Sequence, residues 1–238
     1  MKLLICSKEV KTVKSTDEWR ECAPPQNAKL HWQDYRSAKE LAKSVFDNGT
    51  LVPLLESVLT RFDFPVPAEM LGYPEKATEL PWGTRGNRKH DLLLEDEDKS
   101  LVIGIEAKAD ESFGDKVGNK RANSRKNADG GENMSKRLDG ILNFLFGNTL
   151  PENKETLMYQ LLSATAGVVL EAKNKHVNKA CAMFLVFISD KLDPKKLESN
   201  EKAWKVFCNV MKIDERGGVV VIDGVQCLIV KEQIELKV

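Results

Sequence analysis

The chain has 238 residues, of which 42% are apolar and 30% are charged, and 36 basic residues balance 36 acidic ones. This composition is typical of a globular protein and argues against a protein that is coated all round with nucleic acid. No apolar run approaches the roughly 18 residues of a transmembrane helix, and the first residues are too charged for a signal peptide. We therefore expect a cytoplasmic protein with no membrane contact.

The cysteines and histidines do not predict a metal site of their own. The five cysteines include no CxxC pair, and the three histidines are scattered along the chain. Cys6, Cys181 and Cys227 lie in or beside apolar runs, which predicts reduced thiols in the core.

The first part of the chain is predicted to be mostly helical. After a short strand at residues 2–6, apolar residues at helical spacing predict helices within 30–62, one over 30–46 and one over 53–62. The following segment, FPVPAEMLGYPEK at 64–76, is interrupted by prolines and is interpreted as a loop.

The middle of the chain changes to the two-residue period of strands. RKHDLLLE, the turn DEDKS and LVIGIEAK predict a hairpin over 88–108. The segment 115–135 is basic and has no hydrophobic period, so it is interpreted as a loop.

The last part of the chain alternates helices with strands. We predict helices at 136–146 and 154–175, a strand at 180–189, and a helix and hairpin within 200–230 that turns at Asp223-Gly224. The order of elements predicts one α/β domain over 1–238, with a central mixed sheet flanked by helices.

One Glu-x-Lys pair stands apart from the others in this chain. There are six such pairs, and Glu106/Lys108 is the pair that ends an apolar strand. Residues two apart on a strand share a face, so an acid and a base point the same way at the end of a buried element. Buried charge is costly unless it is paired, hydrogen-bonded or bound to a metal.

A second carboxylate is predicted to join this pair. Asp91 lies near the start of the neighbouring strand, so folding the hairpin brings it to the edge where Glu106 and Lys108 lie. Two carboxylates and an ammonium suit a divalent metal site for phosphoryl transfer, because carboxylate oxygens hold Mg²⁺ and the lysine orients water or stabilises developing charge. Strict alternation places His90 on the face opposite Asp91, as a hydrogen-bonded core or surface histidine.

The spacing of these residues resembles a known signature. Asp91, followed fifteen residues later by Glu106-Ala107-Lys108, resembles the PD-(D/E)XK motif of the restriction-endonuclease-like nucleases, with His90 in place of the proline. The resemblance implies a restriction-endonuclease-like core and hydrolysis of phosphodiester bonds with Mg²⁺ or Mn²⁺. It implies Asp91, Glu106 and the Ala107 carbonyl as metal ligands, and Lys108 as the catalytic base or stabiliser.

Three further residues are weaker candidates. The family commonly carries a glutamate on the preceding helix, which implies Glu56 as a metal ligand, and some members carry a glutamine on the following helix, which implies Gln160. Glu111 directly follows the signature and is an accessory candidate. The alternatives are a solvated Glu56, a structural Gln160 and a loop role for Glu111.

Basic residues near the signature predict a nucleic-acid contact. Phosphate contacts from a basic segment position a strand without reading its sequence. The candidates are Arg85, Arg88, Lys116, Lys120, Arg121, Arg125 and Lys126. We expect DNA rather than RNA as substrate, and cutting both strands of a duplex would favour a homodimer.

Two other functions stay open at this point. One is a non-catalytic module that binds nucleic acid or protein on the same fold, with the charged cluster as a structural ion pair. The other is a metal-dependent hydrolase of a small phosphorylated substrate, which would not need the basic segment.

Overall fold

The computed structural model describes residues 1–7, 11–25, 27–83, 87–125 and 131–236, and gives only the backbone of Arg125 and Gly131. Within these ranges the strands are β1 Lys2–Cys6, β2 Thr12–Val13, β3 Glu69–Thr78, β4 Arg88–Asp96, β5 Val102–Lys108, β6 Lys179–Ile188, β7 Gly218–Ile222 and β8 Val225–Glu235. The helices are α1 Thr16–Cys22, α2 Ala28–His31, α3 Ser37–Phe46, α4 Leu51–Arg61, α5 Val117–Arg125, α6 Gly131–Phe146, α7 Tyr159–Asn174 and α8 Pro194–Met211, with a 3-10 turn at Lys154–Thr156.

The strands described form one mixed sheet in the order β2-β1-β3-β4-β5-β6-β8-β7. β4 is antiparallel to both of its neighbours, β3 and β5, whereas β6 is parallel to β5 and β8 is parallel to β6. The predicted α/β class with a central mixed sheet flanked by helices is therefore confirmed. β5 lies in the middle of this sheet and is buried along its whole length.

Helices cover both faces of the sheet and so create two apolar layers. The first contains residues of α5 to α8, with Val102 of β5; the second contains residues of α1, α3 and α4, with Ile103 and Ile105 of the same strand. Since side chains alternate along a strand, Glu106 and Lys108 lie on the face that α7 covers.

The predicted helix over 30–46 is wrong as one element. It is divided into α2 and α3, and Tyr35 between them has a φ of 66°. A left-handed residue ends a helical run, and here the Tyr35 N–H donates instead to Oε1 of Glu40 at 2.8 Å.

The predicted loop over 64–76 is also wrong, because β3 occupies much of it. β1 pairs with β3 only over Glu69–Gly72, so Pro74 lies beyond the end of that ladder. A proline has no N–H to donate, so it is tolerated where one side of a strand forms no ladder, and β4 still pairs with the other side at Pro74.

The basic segment over 115–135 is wrong as a loop: from residue 117 its described parts belong to α5 and to the start of α6. α5 is anchored by Val117, which is fully buried and whose N–H donates to the Leu157 carbonyl at 2.9 Å. Arg121 pairs with Asp139 of α6 and with Glu155. A helix that is polar on most sides is stabilised by such contacts rather than by an apolar stripe, which is why hydrophobic periodicity did not reveal it.

Other predicted elements are present with shifted ends. α6 begins at Gly131 rather than 136, the helix over 154–175 is a 3-10 turn followed by α7, and α8 begins at Pro194 rather than 200. The predicted hairpin turn is confirmed, since Asp223 and Gly224 both have positive φ, 47° and 83°. The short elements β2 and α1 were not predicted.

Candidate active site

The antiparallel hairpin of β4 and β5 creates the candidate site. Its register pairs Glu95 with Val102 and Leu92 with Ile105, as the turn between the two strands predicts. One further step along the ladder places Asp91 opposite Glu106. The hairpin therefore brings together the two carboxylates that the sequence places fifteen residues apart.

Asp91 lies at an irregularity in β4. The regular ladder to β5 ends at Leu92, and the Asp91 side chain turns toward β5, where Oδ2 accepts a hydrogen bond from the Ala107 N–H at 2.7 Å. On the other side, Glu75 of β3 has a φ of 52° between the pairs formed by Pro74 and Lys76. The register of β3 and β4 is the same on both sides of this point, so no residue is inserted and only the pairing at Glu75 and Asp91 is interrupted.

Glu106 lies between two cations. Oε1 accepts a hydrogen bond from Lys108 Nζ at 2.6 Å, and Oε2 is paired with the guanidinium of Arg88. The Glu106 side chain is 2% exposed, so this carboxylate is neutralised inside the protein rather than by solvent. Arg88 is therefore a member of the charged cluster, and its predicted contact with nucleic acid stays a prediction.

The environment moves the pKa values of the two carboxyls in opposite directions. Burial, and then the negative charge of Glu106, raise the pKa of Asp91 to about 7. Burial also favours the neutral form of Glu106, but Arg88 and Lys108 outweigh it and lower the pKa of Glu106 well below its usual value. Two neighbouring acids with separated affinities for protons are typical of catalytic sites.

Lys108 is held as an ammonium. Burial disfavours its charge, but the attraction of Glu106 and Asp91 is larger, so the pKa of Lys108 is raised. Oε2 of Glu111 lies 3.8 Å from the same nitrogen. A protonated Lys108 suits the stabilisation of negative charge better than the removal of a proton.

Glu111 reaches the site and is fixed by its surroundings. Its Oε1 accepts a hydrogen bond from Ser37 at the start of α3, and its backbone carbonyl accepts one from Asn200 of α8 at 2.8 Å. These contacts hold the loop after β5 against Lys108. The prediction of Glu111 as an accessory residue therefore has geometric support.

Glu56 does not join the cluster. Its carboxylate is paired with the amino group of Met1, beside the end of β3 at Glu69. That end of β3 lies next to Asp96, at the turn of the β4–β5 hairpin, whereas Asp91 lies five residues further along β4. The interpretation of Glu56 as a metal ligand is wrong, because the residue is at the opposite end of the hairpin.

Gln160 lies beside the cluster, at the start of α7. It lines the same cleft as Arg88, and its Oε1 is buried without a hydrogen-bond partner among the described residues. Gly114 has a φ of 74° and lies so close that a Cβ there would be 3.2 Å from Cδ of Gln160. The position of Gln160 agrees with the resemblance, while its role stays a prediction.

The remaining basic candidates are placed differently. Lys116 is exposed, Lys120 lines the cleft, and Arg121 is taken up by its pairs with Asp139 and Glu155. Arg85 and Lys126 lie outside the described residues, and of Arg125 only the backbone is described.

A buried polar chain behind the cluster was not predicted. His90 is 1% exposed, and its Nε2 lies 3.1 Å from Oγ1 of Thr78, which donates to Glu171 of α7 at 2.8 Å. Its ring lies close to Gly104 and Gly167, so His90 shares the face of Glu106. The alternation that predicts the opposite face fails at the irregularity next to Asp91.

The oxygen ligands at the site suit a hard divalent cation. Two carboxylates and a backbone carbonyl are the donors that Mg²⁺ prefers, and this ion keeps several of its waters. In the part of the chain that the structure describes, no three His, Cys, Asp or Glu side chains converge as a metal-binding group. The candidate ligands are thus Asp91, Glu106 and the carbonyl of Ala107, and Glu106 must exchange one of its cations to take part.

The fold and the site define a mixed α/β protein with a buried carboxylate–lysine cluster at the end of an antiparallel hairpin. The chain matches the family described as Domain of unknown function (DUF6946) over residues 12–236, and it belongs to that family. Neither the curated proteins nor the solved structures contain a match to the chain. Among the described residues, no helix is both long enough and apolar enough to cross a membrane.

Proposed function

We propose that the protein is a metal-dependent nuclease of the PD-(D/E)XK type that hydrolyses phosphodiester bonds in nucleic acid, with DNA as the preferred substrate. The observation that carries this proposal is the convergence of Asp91, Glu106 and Lys108 across the β4–β5 hairpin. The five free cysteines fit a reducing compartment, so we place the activity in the cytoplasm.

Asp91, Glu106 and the Ala107 carbonyl would hold Mg²⁺ or Mn²⁺. The metal supplies Lewis-acid stabilisation and a water of lowered pKa when it is bound. Asp91 is fixed for this role by the N–H of Ala107, so the backbone of β5 positions the ligand that comes from β4.

Lys108 has a separate role in the proposed reaction. Its ammonium lies 2.6 Å from Glu106 and is buried, so its charge is poorly screened by solvent. An ammonium in this position stabilises the negative charge that develops on a phosphate in the transition state. Arg88 is placed to add a second positive charge from the other side of Glu106.

A non-catalytic binding module is the second candidate, and one observation favours it. Both oxygens of Glu106 are satisfied by cations of the protein itself. A cluster that is neutral without a metal is what a structural ion pair would look like. This function predicts binding of nucleic acid or protein without hydrolysis.

Cleavage assays separate the two candidates. The full chain is incubated with labelled single-stranded and duplex DNA and RNA in Mg²⁺, Mn²⁺ or EDTA, beside the variants Asp91→Ala and Lys108→Ala. The proposal expects cutting that depends on the metal and is lost in both variants while their folds survive. Binding without cutting in every condition would support the binding module instead.

A further inference from the structure

A cleft of about 350 Å³ opens beside the Arg88–Glu106 pair. It lies between the start of β4, the loop after β5 and the first residues of α7, and Lys120 of α5 closes one side. Its volume is at the lower end of the roughly 300–1,000 Å³ that is usual for ligand pockets. The cleft is therefore large enough for one small polar group and is adjacent to the proposed reaction centre.

Basic side chains outnumber acidic ones in the lining of this cleft, although Arg88 is paired with Glu106 and Lys89 with Glu75. Arg88, Lys89 and Lys120 line it together with a single carboxylate, Asp115. Lys120 makes no ion pair within the described part of the chain, and its Nζ lies 4.7 Å from the centroid of the Tyr159 ring. An ammonium that is held over an aromatic ring and has no carboxylate partner is available to an anion.

Hydrogen-bonding groups without partners gather at the same place. Nε of Arg88 is a buried donor that has no partner among the described residues. Oε1 of Gln160 also has no partner there, but it is an acceptor and does not help to hold an anion. α7 begins here at Tyr159, and no side chain caps its N-terminus. The Tyr159 N–H already donates to the Asp115 carbonyl at 2.9 Å, so only the N–H groups that follow it in the first turn of α7 are left to attract an anion. An unpaired guanidinium N–H needs an acceptor.

The rim of the cleft adds neutral donors. The hydroxyl groups of Ser112 and Ser163 belong to the lining, and Ser112 is exposed. A guanidinium, an ammonium, hydroxyls and helix N–H groups together match a group with several charged oxygens, which describes phosphate better than a carboxylate.

We propose that this cleft is a phosphate-binding subsite that holds a phosphate of the nucleic-acid strand next to the bond to be cut. The identity of the strand rests on the proposed function, whereas the recognition of phosphate rests on the cleft alone. Arg88 joins the two sites, since it pairs with Glu106 and lines the cleft. A phosphate in the cleft is thus separated from Glu106 by one guanidinium.

Binding without cleavage tests this subsite. Anisotropy of an end-labelled DNA strand is measured with the full chain in EDTA, with inorganic phosphate as competitor. The variants are Lys120→Ala and Ser112→Asp, which place less positive or more negative charge at the cleft. The matched control is Lys136→Ala, whose side chain is 61% exposed and paired with Glu132 on α6.

The subsite predicts about tenfold weaker binding for Lys120→Ala and Ser112→Asp, and a salt slope reduced by about one for Lys120→Ala. The control should bind like the wild type. Inorganic phosphate should displace the strand from the wild type and act more weakly on Lys120→Ala. The subsite would be overturned if all three variants bound the strand with equal affinity. It would also be overturned if inorganic phosphate displaced the strand equally well from the wild type and from Lys120→Ala.

The two proposals fail in different ways. If the wild type cuts with a metal but Lys120 and Ser112 do not affect binding, the subsite is wrong and the nuclease stands. If these variants weaken binding and phosphate competes, but no condition yields cutting, the subsite stands and the nuclease is wrong. Binding of inorganic phosphate by a protein that binds none of the DNA or RNA strands would overturn the nucleic-acid source of the phosphate.

Discussion

Arg88 is ion-paired with Glu106 inside the protein, where the two side chains are 12% and 2% exposed. Lys108 holds the other oxygen of the same carboxylate. Removing one partner of a buried pair leaves a charge that water cannot reach, so the remaining partner destabilises the folded state. The pair therefore couples the stability of the hairpin to the charge of the candidate site.

Breaking this pair should destabilise the fold. We expect Arg88→Met and Glu106→Gln each to lower the free energy of unfolding by about 3 kcal/mol, and the double variant to lose less than the sum. Urea denaturation measures all three. The control is Arg61→Met, because Arg61 is 44% exposed and its pair with Glu232 should contribute less than about 1 kcal/mol. Strictly additive losses would contradict the pairing.

Asp91 should reduce the stability of the metal-free protein at neutral pH. Its pKa of about 7, against a usual value of 3.8, means that the folded chain binds the proton more tightly than the unfolded chain. Stability therefore falls as the pH rises from about 4 to 7. Asp91→Asn should match the wild type below pH 4 and exceed it by about 4 kcal/mol above pH 7, because the pKa shift spans about three pH units at about 1.4 kcal/mol each. Thermal unfolding in EDTA across this range measures the difference, and an equal offset at every pH would contradict the account.

His90 should affect stability with the opposite sign. Burial, and then the charge of Arg88, lower its pKa from 6.5 to about 3, so the unfolded chain binds the proton more tightly. Stability is lost as the pH falls below about 6.5, by up to about 1.4 kcal/mol per pH unit. In His90→Gln, whose amide can still donate to Thr78, the free energy of unfolding should fall less steeply as the pH is lowered. If the variant loses as much stability per pH unit as the wild type, groups other than His90 cause the loss at acid pH.

The local part of the site was predictable from the sequence, because a short turn sets the register of a hairpin. The five-residue turn before Leu101 is enough to bring Asp91 to Glu106. The irregularity at Asp91 was not predictable, because it involves Glu75 of the neighbouring strand β3. Pro74 made the sequence of β3 look like a loop. The same irregularity explains why His90 lies on the face of Glu106 rather than on the opposite face.

Contacts between elements that are distant in the chain account for the other differences between the predicted and the observed positions of the site residues. Glu56 fits the helix that precedes the signature, but its position depends on how α4 packs near Met1, and no periodicity reports that. The ion pair of Arg88 was not predicted, because its partner Glu106 lies on the next strand and no local pattern in the sequence reports a contact between strands. Glu111 was singled out because it lies only three residues after Lys108 in the chain, and its accessory role stays a prediction.

Glu56 and Glu111 provide a test of the rearranged site. Glu56→Gln should leave cleavage within twofold of the wild type, since its carboxylate is paired with the Met1 amino group. Glu111→Gln should lower metal affinity or cleavage by about tenfold, because Glu111 lies beside Lys108. Calorimetric titration with Mn²⁺ and initial cleavage rates measure the two effects. A larger effect of Glu56→Gln than of Glu111→Gln would instead support Glu56 as the metal ligand that the resemblance implies.

The most direct measurement compares two lysines of the same Glu-x-Lys spacing. Lys108→Ala removes the buried ammonium at the site, while Lys173→Ala removes an exposed lysine of α7 that is paired with Asp223. Metal-dependent cleavage of labelled DNA is measured for both, after circular dichroism shows that each is folded. The account predicts that Lys173→Ala cuts like the wild type and that Lys108→Ala does not cut. Equal cleavage by the two folded variants would contradict it.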